Sequence, residues 1–402
     1  MTARPKPRGL GGNIAKLYAF SFLKMALFPM AIITLFWKDH IGLSLTQILL
    51  LQGLFSLATL LMEYPSGYVS DRLGYRFALT LASLTGVAGW AVYTVARGFG
   101  GVLAAEALLG IAFAFISGSD TALLFETLRA EGKEELYARY DGRMNGFAQL
   151  GEAVGALFAG VMYATWPLLP FVVQVGVWLA AFALCRSLAE GSRDLAPPAS
   201  SHLQEAIAIG RNALVDNRRL RNILLFATVL GVASFYPVWL IQPYMQQVHV
   251  PIAWFGPVWA GANLTVALGA WLSHRVHFAL GDRGMAVLWI VLILAGYLGL
   301  GLTAGVWSFL FYYLLTAMRG LQGPILRHQI QRESRSAERA SILSLKSFLF
   351  RLLFVATGPL IGRLADREGL AVAFLCLAAA FALALPPLAR LFLRRQPLGD
   401  AL

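Results

Sequence analysis

Twelve apolar runs, each twenty or more residues long, occupy most of this 402-residue chain. A run of about 20 apolar residues is what an α-helix needs to cross a bilayer. The runs cover 14–37, 44–66, 77–96, 99–122, 142–163, 166–185, 221–245, 252–275, 284–304, 306–328, 340–362 and 369–389. They divide six and six around a polar stretch. Charged residues make up 13% of the chain, against about 25% in soluble domains. The apolar runs are continuous and do not alternate, which excludes a membrane β-barrel. The expected fold is therefore an all-α membrane protein with twelve transmembrane helices in two six-helix bundles. Residues 1–186 form the N-terminal bundle and 220–402 the C-terminal bundle. Residues 187–219 are a linker, with Pro197-Pro198 and an amphipathic helix over His202 to Leu214.

Lys and Arg gather in loops that stay in the cytoplasm. With the N-terminus inside, the loops holding Arg72 and Arg76, Arg129 to Arg143, Arg186 to Arg221, Arg275 and Arg283, Arg327 to Arg339 and Arg390 to Arg395 all fall on the cytoplasmic side, as do both termini. The opposite side receives Lys38, Arg97, Arg363 and Arg367. Topology and anionic lipid thus account for the net charge of +12, with no need for a nucleic-acid partner. Lys24 lies within the first run and no small-residue cleavage site follows it, so this run reads as a retained helix of a multi-pass plasma-membrane (bacterial inner-membrane) protein.

No catalytic constellation is visible. Cys185 and Cys376 lie far apart on apolar spans, and His274 and His277 sit three apart at a helix end, where solvated side chains outweigh a metal site. No cofactor or metal is expected. A membrane-embedded transferase would need a nucleophile, base or metal set that the chain lacks, so it does not read as an enzyme.

Between spans 2 and 3 runs the polar turn Gly67-x-x-x-Asp71-Arg72-x-Gly74-x-Arg76. With twelve spans and the six-plus-six division, this pattern resembles the major facilitator superfamily of secondary transporters, and the resemblance covers essentially the whole chain. It implies that Gly67, Asp71, Arg72, Gly74 and Arg76 form a conformational latch. In that family the glycine lets helix 2 approach helix 11, and the Asp caps a helix end. Tyr75 departs from the family pattern, which usually has a basic residue there. A degenerate second copy is expected at Leu280-Gly281-Asp282-Arg283-Gly284. The resemblance also implies that spans 1, 4, 7 and 10 line a cavity while 3, 6, 9 and 12 face lipid, and that the protein is a monomer.

Ionisable residues at mid-depth cost about 2.5–3.5 kcal/mol each on insertion scales, so they mark cavities or partners. Counting about 1.5 Å per residue along each span puts Lys24, Glu152, Arg319 and Arg351 near the midplane, Glu106 in the outer third and Lys346 in the inner third. These acids and bases, with Gln322 beside Arg319, form the candidate substrate or proton site: Lys24, Glu106, Glu152, Arg319, Gln322 and Arg351. Glu63, Asp120 and Glu126 fall near span ends as candidate gate or helix-end contacts. Structural pairing, such as Glu152 with Lys24 or Arg351, is the competing explanation for the buried charges.

Mid-depth bases outnumber mid-depth acids. The expected function is secondary active transport of a small organic solute, anionic or zwitterionic, by rocker-switch alternating access, with Glu106 or Glu152 as proton carriers. The alternative is a multidrug efflux pump, a proton antiporter for amphipathic or cationic compounds.

Overall fold

A computed structural model describes residues 12–190, 208–335 and 338–394, and among them every regular element is a helix. In the first half of the sequence these are α1 (Asn13–Met25), α2 (Leu45–Leu73), α3 (Tyr75–Val95), α4 (Phe99–Ile116), α5 (Ser119–Ala130), α6 (Tyr137–Thr165) and α7 (Leu169–Arg186). In the second half they are α8 (Arg218–Ala233), α9 (Tyr236–Gln247), α10 (Phe255–Leu302), α11 (Leu310–Arg332), α12 (Arg339–Glu368) and α13 (Leu370–Leu393). Helices dominate because hydrocarbon offers backbone N–H and C=O groups no partner, so each segment must satisfy them internally.

Nine stretches among the described residues are long and apolar enough to cross a membrane. One of them, Ile252–Leu302, holds two expected spans, because α10 turns at Gly281 (φ 65, ψ 179). Helix α1 falls short because it stops at Met25, and α11 because it carries Arg319, Gln322 and Arg327 among its apolar residues. Counted with those two, the chain is consistent with twelve spans, and it is a multi-pass membrane protein. Most of the amphipathic linker helix, with Pro197 and Pro198, lies outside the described residues. Residues 208–211 are helical and lead through a π-helical segment at Asn212–Asp216 into α8.

The chain forms two compact units. Unit 1 comprises Met1–Leu43, Leu51–Pro197 and Ile252–Ala260, and unit 2 comprises Ser44–Leu50, Pro198–Pro251 and Gly261–Leu402. The first turns of α2 therefore belong with unit 2, and the first turns of α10 with unit 1. Glycines permit close backbone approach inside unit 1. A Cβ on Gly151 would stand 2.2 Å from the Phe22 carbonyl oxygen, one on Gly155 2.7 Å from the Leu27 nitrogen, and one on Gly256 2.2 Å from the Ala156 carbonyl oxygen. Gly142 and Gly146, earlier on α6, meet nothing within 4 Å.

Three expected spans are broken. Span 1 stops after Met25, and Pro29 follows in the turn; the Phe28 N–H freed there donates to Gln174 Oε1 on α7 at 2.9 Å. Span 4 breaks at Ser117-Gly118, with Gly118 at φ 83 separating α4 from α5. Span 7 breaks at Ser234-Phe235, and Pro237 lies in the first turn of α9. These breaks supply unpaired backbone groups within apolar surroundings, and polar side chains collect at them.

Candidate functional site

In unit 1, Lys24 and Asp120 form an ion pair, with side-chain exposures of 16% and 5%. Lys24 lies in the last turn of α1, where the helix dipole favours a cation. Asp120 lies in the first turn of α5, where the dipole favours an anion, and its second oxygen accepts the Thr121 N–H at 2.8 Å. Two helix ends are thus neutralised by one pair, and Asp141 on α6 lies within electrostatic reach of both charges. The pair joins Lys24, counted from sequence to the midplane, with Asp120, counted to a span end. Counting assumes unbroken helices, and both spans are broken beside these residues.

Glu106 is buried and stands apart from that pair. Gln52 on α2 donates to its Oε2 at 2.9 Å, and Tyr93 on α3 donates its hydroxyl to Oε1. Tyr93 in turn lies among Phe36, Trp37, Trp90 and Phe171. Gln52 and Tyr93 were not among the expected site residues; the signal available was a polar group inside each of spans 2 and 3, facing a buried acid. Glu152 on α6 is half-buried. Glu126 is half-buried and lies 3.8 Å from Arg129, while Glu63 is exposed.

The turn between α2 and α3 separates into two parts. Gly67 and Asp71 are exposed, a Cβ on Gly67 would meet nothing within 4 Å, and Asp71 makes no ion pair or side-chain hydrogen bond among the described residues. Arg72 lies over the Tyr68 ring at 5.5 Å. Gly74 and Arg76 instead tie α3 to the end of α7. Gly74 takes φ 111, and a Cβ there would stand 2.5 Å from the Glu190 carboxylate, so only glycine fits. Arg76 donates to the Arg186 carbonyl at 2.7 Å.

In unit 2 the polar centre is the break of span 7. Arg319 on α11 donates Nε to Ser234 Oγ at 3.1 Å, and its terminal nitrogen to the Ser234 carbonyl. Tyr297 donates its hydroxyl to the Ala233 carbonyl at 2.5 Å, and Tyr236 shares a hydrogen with Thr357 on α12 at 2.5 Å. A guanidinium placed at the C-terminal end of α8 meets carbonyls whose helical partners are missing. Gln322 follows one turn after Arg319, on the same face of α11. It is 7% exposed, and its Oε1 is buried without a hydrogen-bond partner among the described residues. Arg351 on α12 is half-buried.

The expected second copy of the turn is displaced. The helix break falls at Gly281, so Asp282 and Arg283 follow it, whereas Asp71 and Arg72 precede Gly74. Asp282 accepts from His277 Nε2 at 2.8 Å and from Gln329 Nε2 at 2.9 Å.

The family model of the Major Facilitator Superfamily matches residues 15–352. A curated relative, the probable vesicular acetylcholine transporter-B of Danio rerio, is 26% identical over 237 residues, which is 57% of this chain and 45% of that protein. The chain thus matches less than half the length of that relative. Among solved structures, the nucleoside transporter NupG superposes with a TM-score of 0.80 at 11% identity, covering 95% of this chain and 99% of that one. A bacterial homologue of the human lysosomal transporter Spinster, inward-facing and unoccupied, gives 0.73 at 16% identity, covering 98% and 100%. A POT family transporter in complex with 5-aminolevulinic acid gives 0.71 at 12% identity, covering 94% and 95%. These structures share the fold; the family model shows the family. With its helices, its broken spans and its match over residues 15–352, the chain belongs to the Major Facilitator Superfamily of transporters.

Proposed function

We propose that the protein is a secondary active transporter that moves a small anionic or zwitterionic organic solute by rocker-switch alternating access. The observation that carries this reading is Arg319 at the break of span 7, with the buried amide of Gln322 one turn further along the same face of α11. Arg319 already donates to Ser234, and its guanidinium places at that break the positive charge and planar N–H group type that suits a carboxylate. Gln322, on the same helix face, holds a buried acceptor without a partner, and such a group costs about 1–3 kcal/mol until something donates to it. A solute with both a carboxylate and an N–H or O–H donor answers both needs. Glu106 and Glu152 are the candidate proton carriers, the N- and C-termini lie in the cytoplasm, and the protein works as a monomer in a bacterial inner membrane.

The test is uptake into proteoliposomes with imposed pH gradients, using panels of amino acids, organic acids and cationic dyes. Arg319→Lys and Gln322→Leu are expected to abolish flux of the accepted anion or zwitterion while protein yield and melting temperature stay near wild type. If cationic dyes move, Glu106→Gln or Glu152→Gln stops them, and organic anions neither bind nor move, the reading is overturned in favour of multidrug efflux.

A further inference from the structure

The spacing Gly-x-x-x-Asp-Arg-x-Gly occurs twice in this chain. Beside Gly67, Asp71, Arg72 and Gly74 at the end of α2, it recurs as Gly362, Asp366, Arg367 and Gly369 at the end of α12. The backbones agree as well as the letters. Gly74 has φ 111 and ψ 149, and Gly369 has φ 88 and ψ 163, each ending one long helix and opening the next. The two turns differ in what their first six residues do.

In unit 2 the α12 copy is engaged on the first turn of α2. Ser44 and Gln47 form a reciprocal capping box there: the Gln47 N–H donates to Ser44 Oγ at 3.2 Å and the Ser44 N–H to Gln47 Oε1 at 3.0 Å. Two N–H groups remain without helical partners, those of Leu45 and Thr46. Asp366 takes both, at 2.8 and 2.9 Å, and also accepts the Thr46 hydroxyl at 2.6 Å. The positive end of the α2 dipole thereby faces a carboxylate. Gly362, one turn before Asp366, makes the approach possible, because a Cβ there would stand 2.6 Å from Thr46 Cα and 2.7 Å from the Leu45 carbonyl oxygen. Leu49, one turn further along α2, is fully buried and lies 3.7 Å from the Cβ position of Gly358.

The α2 copy is disengaged. Gly67 has open space before it, and Asp71 is exposed with no such bond among the described residues. One carboxylate holds a helix start while its counterpart holds none.

The geometry points to a second conformational latch, Gly362 with Asp366, which holds the state described here by capping α2 and must release it for the state that the Gly67–Arg76 turn holds. The two copies act in opposition, so each residue's loss shifts the balance in its own direction. This rests on the alternating-access reading above, but its test does not need a substrate.

The test uses the full-length chain with Cys185→Ser and Cys376→Ser and a single reporter, Leu49→Cys, labelled with a membrane-impermeant maleimide. Asp366→Ala is expected to raise the labelling rate about tenfold, the order of effect of losing a helix cap. Thr46→Val should raise it less, Asp366→Glu should restore much of the protection, and Asp71→Ala should lower it below the parent. Where Asp366→Ala folds poorly, Thr46→Val and Gly362→Ala carry the same prediction. Labelling that is unchanged in Asp366→Ala and Gly362→Ala overturns the latch, whatever the protein transports. Faster labelling with no transport of any solute leaves the latch standing and removes the transporter reading instead.

Discussion

The ion pair of Lys24 and Asp120 shows how one contact can serve two helix ends. Each charge is stabilised twice, by its partner and by the dipole of the helix that bears it. Removing one partner leaves the other buried and unmatched. Asp120→Asn or Lys24→Met is therefore expected to destabilise the protein by about 3 kcal/mol, and the double replacement Lys24→Met with Asp120→Leu by much less; thermal unfolding in detergent measures both. Glu106 calls for a separate experiment. Its carboxyl takes hydrogen bonds from Gln52 and Tyr93, so Glu106→Leu orphans two buried donors and should lower the melting temperature, whereas Glu106→Gln keeps an acceptor for Tyr93. If Glu106→Gln is stable and transport keeps its dependence on a pH gradient, Glu106 does not carry the proton. Lys24, Glu106 and Arg319 were legible in the sequence as costly charges on apolar spans. Their partners were not, because Asp120, Tyr93 and the Ser234 carbonyl become their neighbours only once the helices of each unit have packed.

The helices were legible almost in full, since continuous apolar runs have one solution in lipid. Their interruptions were hidden for the same reason: apolar composition continues through Ala26 to Ile32 and through Ser117-Gly118, so hydropathy gives no sign of a stop. Gly281 was visible as a turn, but the register of Asp282 against the break needed the backbone. Glycines on α6 illustrate the complementary case, where four-residue spacing of small residues marks a face fit for close packing without saying which positions use it. Gly151 and Gly155 do, against the backbone of residues 22–27, and Gly142 and Gly146 do not. Gly151→Val should accordingly cost at least about 1–3 kcal/mol by forcing α1 and α6 apart, while Gly146→Ala should be neutral or slightly stabilising through helix propensity. Comparative thermal unfolding of the two variants tests this.

For the molecule as a transporter, the polar centres divide between the two compact units: an acid–base pair in unit 1, and a guanidinium with an unpartnered amide oxygen in unit 2. Substrate identity is best approached by thermal stabilisation. A ligand present at about one hundred times its Kd stabilises the state it binds by about 2.7 kcal/mol. Anionic and zwitterionic metabolites are expected to raise the melting temperature of the wild type and fail to do so in Arg319→Ala. Stabilisation by cationic compounds alone would favour the efflux alternative.

Asp366 is exposed although it accepts three hydrogen bonds, so its hold on α2 is bathed by solvent. Mobile ions screen an attraction of this kind, over a Debye length of about 8 Å at physiological ionic strength. If the proposed latch operates, salinity in the compartment that wets that end is expected to bias the resting states, concentrated electrolyte loosening the grip and dilute medium tightening it, which the Leu49→Cys labelling rate measured across salt concentrations would read.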